Sequence, residues 1–283
     1  MMGSRIRAAL RLFFYSIWTI LLLPVQAAAV LCDAKFAESF PRFYHRTCLW
    51  LLGFKVAVRG APATQRPVLF VSNHTSYLDI LVLGALVPAS FVAKHEVAGW
   101  PGFGTLAKLQ RTVFIDRAAR RRAHQQRDEI TRRLERGHSL VLFPEGTSDN
   151  GSRVLPFKSA LLGAAETAVN GRLPVVQPVS IAYTRLDGAP MGRAWRPFFA
   201  WYGDMNLLPH LWKALGLGTV TVEVEFHAPI TAAEFPSRKA LSDYCRRQVA
   251  EGIALALSGR AQEVSEIAGQ IKPMEPSAVA GRP

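Results

Sequence analysis

Two residues five positions apart carry the clearest chemistry in this chain: His74 and Asp79, within Asn73-His74-Thr75-Ser76-Tyr77-Leu78-Asp79. An imidazole held through one ring nitrogen by a carboxylate presents its other nitrogen as a general base near neutral pH. On a regular helix, side chains five apart point about 140° away from each other. The pair can therefore meet only if His74 lies in a loop and Asp79 in the first helical turn. The flanking residues allow that, because 67–71 is a short apolar run of strand type and 80–83 an apolar run able to open a helix. The same letters also fit a capping box, Ser76-x-x-Asp79, in which the acid serves the helix N-terminus.

Other reactive groupings are missing. No Gly-x-Ser-x-Gly elbow occurs, and Cys32, Cys48 and Cys245 lie far apart. They suggest neither a disulfide framework nor a thiol nucleophile. No His/Cys/Asp grouping has metal-ligand spacing, so no metal is expected.

Three further short apolar runs end in polar, Gly or Pro residues. They are Val113-Phe114-Ile115-Asp116-Arg117, Leu140-Val141-Leu142-Phe143-Pro144-Glu145-Gly146-Thr147 and Val175-Val176-Gln177-Pro178-Val179-Ser180. Together with Asn-His-x4-Asp, and in this order, they resemble the four blocks of the glycerolipid acyltransferase family that includes the 1-acylglycerol-3-phosphate acyltransferases. The resemblance covers roughly residues 56–229. It implies a layered α/β acyltransferase fold, with a mixed central sheet flanked by helices and an N-terminal membrane-embedded helical segment. It also implies O-acyl transfer from an acyl thioester, acyl carrier protein or coenzyme A, to the hydroxyl of a lysolipid, with no bound cofactor. His74 would be the base and Asp79 its orienter, with backbone N–H groups at the start of the helix after His74 as candidate donors to the oxyanion. The Glu-Gly-Thr block transfers acceptor binding onto Glu145, Gly146 and Thr147, and Arg117 matches the family's phosphate-contacting arginine. Asn73, Ser148 and Lys158 complete the expected substrate contacts.

One departure bears on the acceptor. Members acting on lysophosphatidate commonly carry Arg after Glu-Gly-Thr, a forked donor suited to phosphate. Here the position is Ser148, followed by Asp149, and Arg153 or Lys158 would have to compensate. With 91–100 and the aromatic stretch 201–212, this makes the chain look more like the bacterial lyso-ornithine lipid O-acyltransferases. Phosphatidate synthesis is the alternative.

The elements that must position these residues follow from composition. The chain has 283 residues, 49% of them hydrophobic, and a net charge of +13. Such a charge calls for an anionic partner, and with no nucleic-acid module in sight a membrane face is expected instead. Arginines crowd 117–136, suiting anionic headgroups or an acidic carrier protein. Residues 12–32 form an uncharged apolar run long enough to cross a bilayer, interrupted by Pro24. A signal peptide ending near 25–27 is its rival. With the second apolar run at 48–54 it forms a membrane anchor or hairpin over 1–54, ahead of an α/β domain at 55–258 and a disordered tail at 259–283. Strands are expected near 56–58, 68–71, 91–93, 112–115, 140–143, 175–182 and 220–226. Helices are expected near 78–87, 103–109, 117–136, 158–169 and 237–257. The family implies a bacterial inner-membrane location with the catalytic domain facing the cytoplasm. Two rivals remain: a hydrolase using His74 and Asp79 to activate water, and a basic lipid-binding protein without chemistry.

Overall fold

A computed structural model describes residues 3–115, 123–169 and 171–259. Arg117, the start of the arginine-rich stretch and the expected tail beyond 259 lie outside the described residues. The chain opens with two helices, α1 (Arg5–Leu31) and α2 (Phe36–Leu52). There follow β1 (Phe54–Arg59), β2 (Val68–Ser72), α3 (Leu78–Leu86), β3 (Ala89–Lys94), α4 (Phe103–Leu109) and β4 (Val113–Ile115). After the gap come α5 (Ala123–Glu135), β5 (Ser139–Leu142), β6 (Val175–Leu186), β7 (Ala189–Pro190), α6 (Leu207–Gly216), β8 (Val220–Phe226) and α7 (Arg238–Ser258).

The strands form one mixed sheet in the order β1-β8-β6-β2-β5-β3-β4, with β7 beside β6. Pairings are parallel except β6 with β8 and with β7. The centre of the sheet is covered on both faces, so β2 is buried throughout. Val68 and Phe70 point into the layer shared with α3, and Leu69 and Val71 into the opposite layer. Toward the edge, β8 alternates instead, with Val220, Val222, Val224 and Phe226 buried between partly exposed polar residues. On the second face α7 packs over β6. It buries Leu241, Cys245, Val249 and Ile253 and starts at Ser237, whose hydroxyl accepts from the Ala240 N–H.

The first two helices belong to this body. α1 packs on α2, α4 and α6. The Ser4 N–H donates to Gly216 O at 2.9 Å, and the Arg11 guanidinium donates to the carbonyls of Leu215, Leu217 and Gly218 where α6 ends. Toward its other end, the Gln26 side chain donates to Leu109 O at 2.8 Å. With tertiary ties on both sides of Pro24, the helix runs through the proline that the sequence marked as an interruption. The outward side of the pair is apolar: Phe13, Phe14, Ile20 and Leu21 of α1 and Phe43 and Trp50 of α2 are exposed.

The sheet falls where the apolar runs predicted it, β6 extending past its expected end. The helix expected over 158–169 is instead a 3-10 segment, Ser159–Glu166, with Leu162, Gly163, Ala164 and Ala165 buried.

Candidate active site

β2 ends at Ser72 and α3 begins at Leu78, so residues 73–77 form the turn between them. The turn is fixed at its root by Asn73, buried in the sheet. Its carboxamide accepts from Ile181 N at 2.9 Å and donates to Ile181 O at 3.0 Å, continuing the β2–β6 ladder as the main chain leaves it. His74 then lies in the loop and Asp79 in the first helical turn. The His74 Nδ1 is 2.9 Å from Asp79 Oδ2. The same oxygen accepts from Thr75 N at 2.7 Å and Ser76 N at 2.9 Å. The capping and orienting readings of Asp79 are thus compatible, since one carboxylate gathers the loop's N–H groups and holds the ring. The N–H groups of Thr75 and Ser76 are thereby engaged by Asp79.

The ring stacks on Phe143 with centroids 4.2 Å apart, which leaves the His74 side chain 21% exposed, whereas Asp79 is wholly buried. A buried carboxylate is tolerable only if its lone pairs are matched. Oδ1 is matched by the Tyr183 hydroxyl, which donates at 2.8 Å from β6. Sequence reasoning missed Tyr183.

His74 borders a cavity of about 570 Å³, within the range of small-molecule sites. Its walls are largely apolar and draw on α1, α2, α3, β3 and α4, with Tyr15, Leu22, Phe40, Leu81, Phe91 and Leu106 among them. Gly146, Thr147 and Ser148 also line it, as does Trp201. Gly146 has φ +74°, and the Lys158 side chain crosses so near that a Cβ there would lie 2.7 Å from Nζ. The Ser148 hydroxyl donates to Trp201 O, the Trp201 N–H to Thr75 O at 3.0 Å and the Asp149 N–H to His74 O at 3.1 Å. The loop after β5 is thereby laced to the turn carrying His74.

Other expected contacts turn away from the cavity. Glu145 is buried, its two oxygens accepting from His74 N at 3.0 Å and Leu155 N at 3.1 Å. Burial pushes its carboxyl up to about 8, against the pull of those two N–H groups, and Asp79 and Asp149 push the same way. Asn73, Glu145 and Lys158 do not line the cavity, and Arg153 pairs with Asp149 at 2.7 Å. Asn73 and Glu145 thus hydrogen-bond to the main chain and hold the loops, and Arg153 is engaged by Asp149. Arg117 lies outside the described residues. Among those residues no group of three or more His, Cys, Asp or Glu could hold a metal ion.

A family model described as Acyltransferase matches residues 55–182. A lyso-ornithine lipid O-acyltransferase of Brucella abortus (strain 2308) is 45% identical over 242 residues, covering 84% of this chain and 91% of its own. A 1-acyl-sn-glycerol-3-phosphate acyltransferase of Neisseria gonorrhoeae is 34% identical over 197 residues, covering 69% and 73%. The crystal structure of the 1-acyl-sn-glycerophosphate (LPA) acyltransferase from Thermotoga maritima shares the fold, with a TM-score of 0.64 at 23% identity over 88% of this chain and 95% of that one. By these relatives and by the matching family model, the chain belongs to the acyltransferase family.

Proposed function

We propose that the protein is a membrane-bound O-acyltransferase that moves a fatty acyl chain from a thioester, of acyl carrier protein or coenzyme A, onto a lysolipid hydroxyl. The observation that carries this reading is the His74–Asp79 pair on the wall of an apolar cavity to which both N-terminal helices contribute. With Nδ1 held by Asp79, His74 Nε2 takes the proton of the acceptor hydroxyl. The oxygen attacks the thioester carbonyl, the C–S bond breaks, and the imidazolium returns its proton to the departing thiolate. No acyl-enzyme is required.

Residues 1–54 serve as the membrane anchor, 55–258 as the acyltransferase domain and 259–283 as a tail. A helix of α1's length would reach about 40 Å, enough to cross a bilayer. Its ties at Ser4, Arg11 and Gln26 lay it along the catalytic body, which favours a hairpin dipping its exposed apolar side into one leaflet over a separate span. The basic surface would then meet anionic headgroups on the cytoplasmic face of the inner membrane. Gly146, Thr147 and Ser148 bound the acceptor side.

A lyso-ornithine lipid acceptor is favoured by the 45% identical relative and by serine at 148. The 34% identical relative supports lysophosphatidate as the second reading. Purified enzyme offered both acceptors together with a labelled acyl thioester decides between them. The predicted product is the two-chain ornithine lipid, with Ser148→Arg shifting preference toward lysophosphatidate. Exclusive phosphatidate formation would reverse the acceptor assignment, and free fatty acid released at the same rate with or without acceptor would make the enzyme a hydrolase.

A further inference from the structure

Asp79 has two oxygens and very different demands on them. Oδ2 already accepts from the His74 ring and from two backbone N–H groups. Oδ1 accepts from a side chain 104 residues away, the Tyr183 hydroxyl, at 2.8 Å. Both groups are buried, so no solvent can substitute for the hydroxyl. The placement of Tyr183 follows from the sheet. Asn73 pins β6 at Ile181, and two residues further along a strand the side chain returns to the same face, beneath α3. The register of β6 with β8 shifts between Tyr183 and Arg185, and the Tyr183 ring lies parallel to Phe199 at 6.0 Å. The ring is therefore held by packing and the hydroxyl by its acceptor.

We infer that Tyr183 is a positioning residue for acyl transfer, acting through Asp79 to set the orientation and the basicity of the His74 imidazole. This rests on the reading of His74 as the general base. A hydrogen bond to a carboxylate disperses its negative charge. An Asp79 relieved of that bond attracts the imidazolium more strongly, and the carboxylate that orients the ring is itself anchored through Oδ2 alone. The ring is then protonated over a wider pH range and unavailable as a base. Burial and the neighbouring Asp79 both push the Tyr183 phenol well above its ordinary range, so it stays protonated and remains the donor at any working pH.

The test compares pH profiles of kcat/KM for the full-length enzyme in detergent or nanodiscs. In Tyr183→Phe the acidic limb should move up by about one pH unit, a tenfold change in proton affinity. kcat at neutral pH should fall and KM for the lysolipid stay within about twofold. Incorporation of 3-fluorotyrosine at position 183 keeps the shape and strengthens the donor, so the limb should move down. Because it preserves packing, this second variant carries the test if the phenylalanine form fails to fold. Phe199→Leu, which loosens the packing without touching the hydrogen bond, should lower the unfolding temperature and leave the limb in place. Limbs that stay at the wild-type pH in both Tyr183 variants, or that move equally in Phe199→Leu, would overturn the proposal. A His74→Ala enzyme that turns over normally would remove the general-base reading itself, a different result from an inactive His74→Ala beside an unmoved Tyr183 limb.

Discussion

The sheet carries a histidine site on each face, and among the described residues the 570 Å³ cavity opens beside the His74 site. On the α3 face, His74 is held by Asp79 and borders the 570 Å³ cavity. On the α7 face, His227 Nε2 lies 2.6 Å from the Ser180 hydroxyl, with the Glu225–Arg59 pair alongside. By residue type, the second grouping is nearer to a hydrolytic triad than the first. Its serine is buried, however, and also bonds to Val249 O at 3.1 Å. α7 presses so close that a Cβ on Gly252 would lie 2.3 Å from the Ser180 oxygen. Hydroxyl, imidazole and carboxylate here clamp a helix to a sheet. What separates a clamp from a candidate active site is a void beside the base, not the identity of the base.

Substitutions on the two faces should therefore diverge. Asp79→Asn should have the largest effect, because an amide offers donors where Thr75 and Ser76 already point N–H groups and gives His74 the wrong partner. A comparable replacement in a serine protease costs about 10⁴ in kcat, and steady-state turnover with saturating thioester measures it. A loss under tenfold would leave Asp79 with the capping role alone.

Glu145 should distinguish the faces by pH. Its folded-state carboxyl, at about 8, stands above the ordinary 4.5. The stability it contributes is therefore fully present below about 4.5 and lost as pH rises through about 8. Thermal unfolding should show wild type losing stability relative to Glu145→Gln across that window. Parallel curves would mean that Glu145 ionises normally. The smallest effect belongs to the other face: Ser180→Ala should keep turnover within about twofold while losing about 1 kcal/mol of stability. A large loss of turnover there would erase the contrast between the sites.

Sequence carried this far unevenly, for physical reasons. β8 and α4 lie where their patterns put them, because alternating burial in one and a compact apolar helix in the other leave their period in the letters. The pairing of His74 with Asp79 was also legible, since both partners sit within one turn of chain. Tyr183 was not, because a tyrosine within a buried strand does not announce which acid, 104 residues earlier, it will meet. Asn73 and Glu145 lie in blocks whose polar residues suggest ligand contacts. The fold uses them to satisfy backbone groups of Ile181, His74 and Leu155, a demand that becomes visible only once those residues are in place. Ser148 is intermediate: it does line the cavity, but its hydroxyl is donated to Trp201.

The central claim is that the His74 imidazole removes the proton from a lipid hydroxyl. The most direct measurement is acyl transfer by purified His74→Ala, using labelled thioester and lyso-ornithine lipid, beside its thermal unfolding curve. The account predicts an unfolding temperature near that of wild type and a rate lower by about 10²- to 10⁴-fold. A correctly folded His74→Ala enzyme that acylates the lysolipid within tenfold of the wild-type rate would contradict it.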